Sequence, residues 1–239
     1  MKKKRAWFIL IPAAVAALAV LVCLGYLGRY YHADAAAREA LVSDGVVQVT
    51  TTDFGWLFDG PSEDSALIFY PGGKVEAAAY APLCQLFARS GADVCLVEMP
   101  VRLALFGRDK ASGIMDFLEY DRWYLAGHSL GGVAAASYAA EHGDELAGLV
   151  LLASYPTKQL DDSLDTLLIY GSEDGVLNFA SYQEGLNYVP ESAVQHVIAG
   201  GNHAQFGSYG PQAGDGEATI SRERQMEETA VAVAGIIAG

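Results

Sequence analysis

The sequence predicts an α/β domain, a mostly parallel central sheet flanked by helices, preceded by an N-terminal transmembrane helix. Three observations carry this. Short apolar runs such as Ala66-Leu67-Ile68-Phe69-Tyr70 and Ala147-Gly148-Leu149-Val150-Leu151-Leu152 recur between stretches of helical length, as parallel strands covered on both faces require. Gly127-His128-Ser129-Leu130-Gly131-Gly132 lies where a buried strand gives way to an Ala-rich helix. Ahead of both, Ala6 to Gly28 runs without a charge behind a basic cap.

Taken in order, Lys2, Lys3, Lys4 and Arg5 precede 23 uncharged residues, about 34 Å as a helix and enough to cross a bilayer core of about 30 Å. Trp7 at one end and Tyr26, Tyr30 and Tyr31 at the other suit the two interfaces, and the basic cluster should stay in the cytoplasm. The run is longer than the roughly 7–15 apolar residues of a cleaved signal peptide, although Ala33-Asp34-Ala35 offers a cleavage-like site. Residues 1–31 therefore read as a cap and uncleaved anchor. Residues 32–45, rich in Ala and charge, read as a short helical stalk, with the domain proper at 46–239 and outside the cytoplasm.

Within the domain, Val46-Val47-Gln48-Val49-Thr50 and Gly55-Trp56-Leu57-Phe58 make an opening antiparallel pair, closed by Asp59-Gly60-Pro61. Strands follow at 66–70, 93–98, 122–126, 147–152, 166–170 and 194–198. Helices are expected near 76–90, 113–119, 133–140 and 220–237.

The 239 residues suffice for one sizeable α/β domain and a short appendage. Apolar residues make up 52%, with a mean hydropathy of +0.21, concentrated at the N-terminus. The net charge of −14 includes the basic cap, so residues 6–239 carry −18. Such a body argues against nucleic acid as a partner. Three cysteines give no disulfide framework; Cys84 and Cys95 read as packed thiols, and no Cys/His cluster suggests a metal.

The chemistry sits after the strands, because a parallel sheet presents its functional loops at their carboxyl ends. A small residue two before Ser129 and another two after it describe a nucleophile elbow. Its sharp turn leaves no room for side chains at Gly127 and Gly131, and the following helix aims its N-terminal amides at the site. After Tyr170 comes Gly171-Ser172-Glu173-Asp174-Gly175, and after Ile198 comes Ala199-Gly200-Gly201-Asn202-His203. A serine hydroxyl needs a base to take its proton. His203 is the candidate, since imidazole exchanges protons near neutrality. Asp174 would hold its tautomer, with Glu173 the runner-up. The oxyanion would be met by the amide of Leu130 and by one from Pro71-Gly72-Gly73-Lys74, Gly73 first and Lys74 second. His128, beside Ser129, should point away from it. His142 sits at the C-terminus of the elbow helix, where a cation suits the dipole, His196 lies within a strand, and His32 belongs to the membrane boundary.

Tyr-Pro-Gly-Gly-Lys at 70–74, Gly-His-Ser-Leu-Gly-Gly at 127–132, Gly-Ser-Glu-Asp at 171–174 and Gly-Asn-His at 201–203 together resemble the α/β-hydrolase superfamily, in its small esterase and dienelactone-hydrolase-like branch. The resemblance covers about residues 46–238. It implies an α/β-hydrolase fold, an acyl-enzyme on Ser129 and no metal or organic cofactor. Many members insert a helical cap after the strand that follows the elbow helix. Here only Ser154 to Asp165 stand there, so a minimal or absent cap is expected. The reading is an outward-facing, membrane-anchored serine hydrolase with an open site, cleaving carboxylic esters or related acyl bonds of a small-molecule substrate that need not be small enough to be enclosed. An acyltransferase with the same triad, a cofactor-free perhydrolase or a non-catalytic surface binding protein are the alternatives. Residues 206–216 are long for a connection before the last helix; they either shape the cleft or form a plain surface loop.

Overall fold

The structure, a computed structural model, describes residues 15–22, 25, 27–61 and 64–238. It divides into two compact units, residues 1–30 and 31–239. About half of the expected membrane span, residues 6–14, 23, 24 and 26, lies outside the described residues. Residues 15–22 are helical, and among the described residues no helix is long and apolar enough to cross a membrane.

The second unit is built on one eight-stranded sheet: β1 Gln48–Thr52, β2 Gly55–Asp59, β3 Ser65–Tyr70, β4 Asp93–Val97, β5 Arg122–His128, β6 Gly148–Leu152, β7 Asp165–Gly171 and β8 Val194–Ile198. Their order is β1-β2-β4-β3-β5-β6-β7-β8. β1 and β2 pair antiparallel, as do β2 and β4, and the remaining neighbours are parallel. The mostly parallel sheet expected from the sequence is thus the observed one. β3, β4 and β6 are buried along their whole length, which explains their unbroken apolar sequences.

Side chains alternate between two cores. On one face Leu67, Phe69, Tyr124, Val150 and Ile169 pack against the helices Ala81–Arg89 and Arg222–Ala238. On the other Ile68, Leu125, Leu151 and Leu168 pack against Leu130–His142 and its neighbours. Cys84 and Cys95 are free and buried, one in each core, so the sheet itself keeps them apart. Burial pushes both thiols up, consistent with inert packing.

Three expectations need correction. Residues 32–45, expected as a stalk, pack onto the domain: Ala33 and Ala37 are buried, the Asp34 amide donates to the Ser208 carbonyl at 2.9 Å, and Arg222 pairs with Asp34. The helix within this segment spans only Ala35–Glu39, with Asp34 as its N-cap. The helix placed near 113–119 runs instead over Lys110–Met115, because Gly113 lies inside it rather than at its start. A helix over Phe179–Gly185, absent from the sequence reading, is signalled by Asn178, whose side chain accepts from the Ser181 amide at 3.1 Å.

Candidate active site

β5 ends at His128, and Ser129 follows with φ 53° and ψ −122°. This is a left-handed backbone on a non-glycine residue, at a typical cost of about 1–3 kcal/mol. The strain is held in place from both sides. The Ser129 amide donates to the Leu152 carbonyl at 2.9 Å, and its carbonyl accepts from the buried Ser154 hydroxyl at 2.8 Å. Gly127 and Gly131 make the turn possible, as anticipated. A Cβ on Gly127 would lie 2.5 Å from the Gly131 carbonyl carbon, and one on Gly131 would overlap the carbonyl oxygens of Tyr70 and Pro71. Neither obstacle is a flexible side chain. Gly131→Ala is therefore expected to destabilise the chain by about 3 kcal/mol or more. Gly113→Ala, where a Cβ meets nothing within 4 Å inside a helix, should be neutral or slightly stabilising. Urea unfolding of the two variants beside the parent checks both.

The other two expected residues arrive from the neighbouring strand ends. Asp174 follows β7 and His203 follows β8. Their side chains are almost wholly buried, and His203 Nδ1 lies 2.9 Å from Asp174 Oδ2. The other carboxylate oxygen, Oδ1, accepts from the amides of Val176 at 2.9 Å and Leu177 at 2.7 Å. These bonds fix the carboxylate in orientation. His203 Nε2 has no hydrogen-bond partner among the described residues. With Nδ1 committed to Asp174, Nε2 is the nitrogen left for proton exchange. Ser129 and His203 line one open cavity of about 190 Å³, together with Leu130, Val133, Tyr155 and Leu177. Glu173, the runner-up acid, is exposed and accepts from the neighbouring Ser172 hydroxyl, so it takes no part in this arrangement.

The loop after β3 narrows the oxyanion question by elimination. The Gly72 amide donates to Tyr80 Oη at 3.1 Å, and the Lys74 amide donates to the Arg102 carbonyl at 2.8 Å. Lys74 is thereby removed as a donor to substrate. Gly73 lies between them and against the Leu130 side chain, close enough that a Cβ on it would come within 2.8 Å of Leu130 Cδ2. Leu130 opens its helix, where the first amides lack intrahelical acceptors. The amides of Gly73 and Leu130 stay candidates to meet an oxyanion.

Two supports were not visible in the sequence. His128 is buried, and its ring centroid sits 4.5 Å from that of His203. Its Nδ1 lies 2.8 Å from Tyr80 Oη, the same oxygen that accepts from Gly72. Tyr80 Oη thus bridges the Gly72 amide and His128 Nδ1, which ties that loop to the ring tilted against the base. Burial, and secondarily the His203 ring, hold His128 well below the usual imidazole range. The unfolded chain takes up a proton here that the folded chain refuses. Stability should therefore be complete above about pH 6.5 and fall as pH drops below it, by up to about 1.4 kcal/mol per unit. Urea midpoints across pH 5–8 should show a shallower slope in His128→Gln than in the parent.

The second support is Asp215. Its carboxylate accepts from the amides of Gly175 at 3.1 Å, His203 at 3.2 Å and Ala204 at 2.8 Å. Asn202, next to the base, donates from its side chain to the Gly216 carbonyl at 2.8 Å. Residues 206–216 are therefore neither idle nor a cleft wall of the Ser129 cavity. They staple the loops that carry Asp174 and His203. The only sequence signal was the unusual length of the connection.

Between β6 and β7, residues 153–164 hold no helix or strand, so nothing in this connection forms a helical cap over the cavity.

A family model for the alpha/beta hydrolase family matches residues 66–227. No curated protein matches the chain by sequence. Among solved structures, a membrane phospholipase A described as a bacterial virulence factor is 15% identical, with a TM-score of 0.60 over 100% of this chain and 99% of that one. A novel esterase from Mycobacterium tuberculosis is 13% identical, with a TM-score of 0.60 over 85% of this chain and 95% of the other. Epoxide hydrolase A from Mycobacterium thermoresistibile is 10% identical, with a TM-score of 0.61 over 81% and 99%. At these identities the likeness is one of fold.

Proposed function

The chain belongs to the alpha/beta hydrolase family, and from that premise we propose that it is a serine hydrolase cleaving carboxylic esters or related acyl bonds. The observation that carries the reading is the buried Asp174–His203 pair opening, with Ser129 in its left-handed turn, into one cavity. Ser129 Oγ attacks the acyl carbon while His203 Nε2 takes its proton. The developing oxyanion is met by the amides of Leu130 and Gly73. His203 returns the proton to the departing alcohol as the C–O bond breaks and the Ser129 acyl ester remains. Water, deprotonated by His203, then attacks that ester and frees the acid and the serine. Asp174, bonded to Nδ1, holds the ring in place and stabilises the imidazolium.

The apolar stretch at 6–28 would hold the enzyme in the membrane as a single-pass anchor, with the basic residues 2–5 on the cytoplasmic side and the domain outside. The substrate is a small-molecule ester or an acyl donor reaching an open site.

A fluorophosphonate probe tests the chemistry directly, since it reacts with a serine only where a base and an oxyanion site activate it. The full chain should be labelled, and Ser129→Ala should not. An unlabelled but folded parent would remove the hydrolase reading.

A further inference from the structure

The way the chain enters the domain bears on where its substrate lies. The second unit begins at Tyr31, which is fixed against the candidate catalytic edge of the sheet. Its amide donates to the Lys74 carbonyl at 2.8 Å, and its carbonyl accepts from the Glu76 amide at 2.9 Å, a one-residue parallel bridge to Val75. Its hydroxyl accepts from the Ala213 amide at 3.1 Å, and its ring packs on Tyr209 at 5.4 Å. Tyr31 is thus held between the oxyanion loop and the loop that staples the base. The uncharged run ends at Gly28, and three residues reach at most about 10 Å.

The same edge carries an apolar prominence. After β4 the chain turns at Val101 and Arg102, with φ of 47° and 59°, and the Arg102 carbonyl accepts the Lys74 amide. This segment leaves Val101, Leu105 and Phe106 exposed by 48%, 55% and 69%. Three large apolar side chains within six residues, on strained backbone beside a candidate active site, are more than scattered surface hydrophobics. The charge distribution agrees. Residues 31–239 contain ten Lys or Arg against 29 Asp or Glu, a balance that an anionic lipid surface repels. Four of the ten, Lys74, Arg102, Arg108 and Lys110, lie on this segment or against it, beside Glu98, Asp109 and Glu141, so this edge is close to neutral where the rest of the domain is strongly acidic.

We propose that the catalytic edge of the domain rests on the bilayer that holds the N-terminal segment, with Val101, Leu105 and Phe106 seated among the headgroups, and that Ser129 acts on acyl esters carried by lipids in that leaflet. The small cavity beside Ser129 fits this: it takes the scissile end of such a molecule, and the remaining hydrocarbon stays with the bilayer. The chemistry rests on the hydrolase reading above, and the docking on the membrane-anchor reading.

The test uses the full chain in vesicles of phosphatidylcholine and phosphatidylglycerol, on a Cys23→Ser background. Phe106→Cys and Val231→Cys are labelled with a polarity-sensitive fluorophore; Val231 is 74% exposed on the C-terminal helix, while Cys84 and Cys95 are buried. Lipid-borne nitroxide should quench the probe at 106 several-fold more than the probe at 231. Equal quenching overturns the docking, whether or not soluble esters are cleaved. In the same vesicles, Phe106→Ser should lower turnover of a phospholipid ester at least tenfold relative to turnover of a soluble ester. An unchanged ratio overturns the lipid substrate even where docking is seen. Quenching at 106 in a chain that no fluorophosphonate labels keeps the docking and discards the hydrolase.

Discussion

Ser129→Ala is expected to lower kcat on a soluble short-chain ester by about 100,000- to 1,000,000-fold, and adding His203→Ala should cost almost nothing further. The two groups perform one act. Without the imidazole the hydroxyl remains a weak nucleophile, and without the hydroxyl the imidazole has no proton to move. A factor of a million corresponds to about 8 kcal/mol of transition-state stabilisation, lost once rather than twice. What remains should come from the Leu130 and Gly73 amides and from binding, so KM should change little. Steady-state kinetics on the single and double variants decide it. A double variant much slower than either single one would mean that the residues act separately, against the shared cavity they line.

Asp174→Asn should lower kcat by about 10,000-fold, while Glu173→Gln should stay within about twofold. An asparagine keeps the shape and can still accept from the amides of Val176 and Leu177. It loses the charge that stabilises imidazolium, and its amide can turn a donor toward Nδ1. The imidazole then carries its proton on the wrong nitrogen. Glu173 precedes it by one residue but is exposed and bonded to Ser172. Parallel assays of the two variants separate the neighbours, and comparable losses would move the acid role away from Asp174.

The sheet and the three strand-end loops were legible because their signals are local. An unbroken apolar run marks a doubly covered strand, and Gly127 and Gly131 flank Ser129 for a steric reason visible in six residues. The order of Ser129, Asp174 and His203 then needed only the rule that such loops gather at one edge. The supports were illegible for the opposite reason. Tyr80 reaches His128 across 48 positions, and Asp215 reaches Gly175 across 40; nothing in the neighbourhood of either residue announces its partner. Residues 32–45 looked like a stalk by composition, yet small side chains such as Ala33 and Ala37 are what let the segment lie close against the domain. Gly113 read as a boundary because glycine usually is one, whereas here the helix Lys110–Met115 continues through it.

The Asp215 staple has a bearing on how this protein could diverge or be redesigned. One carboxylate grips amides from both the acid loop and the base loop, so length changes at 173–178 or 201–216 would disarm catalysis without touching a reacting atom. Those loops must be inherited as a set. The connection at 153–164 and the segment at 99–106 carry no such obligation to the Asp174–His203 pair. Beyond Ser154, which holds the Ser129 carbonyl, and Arg102, which holds the Lys74 amide, grafts and insertions that alter substrate choice should therefore survive at 156–164 and 104–106 and fail around the staple, which makes those the positions at which to begin a library.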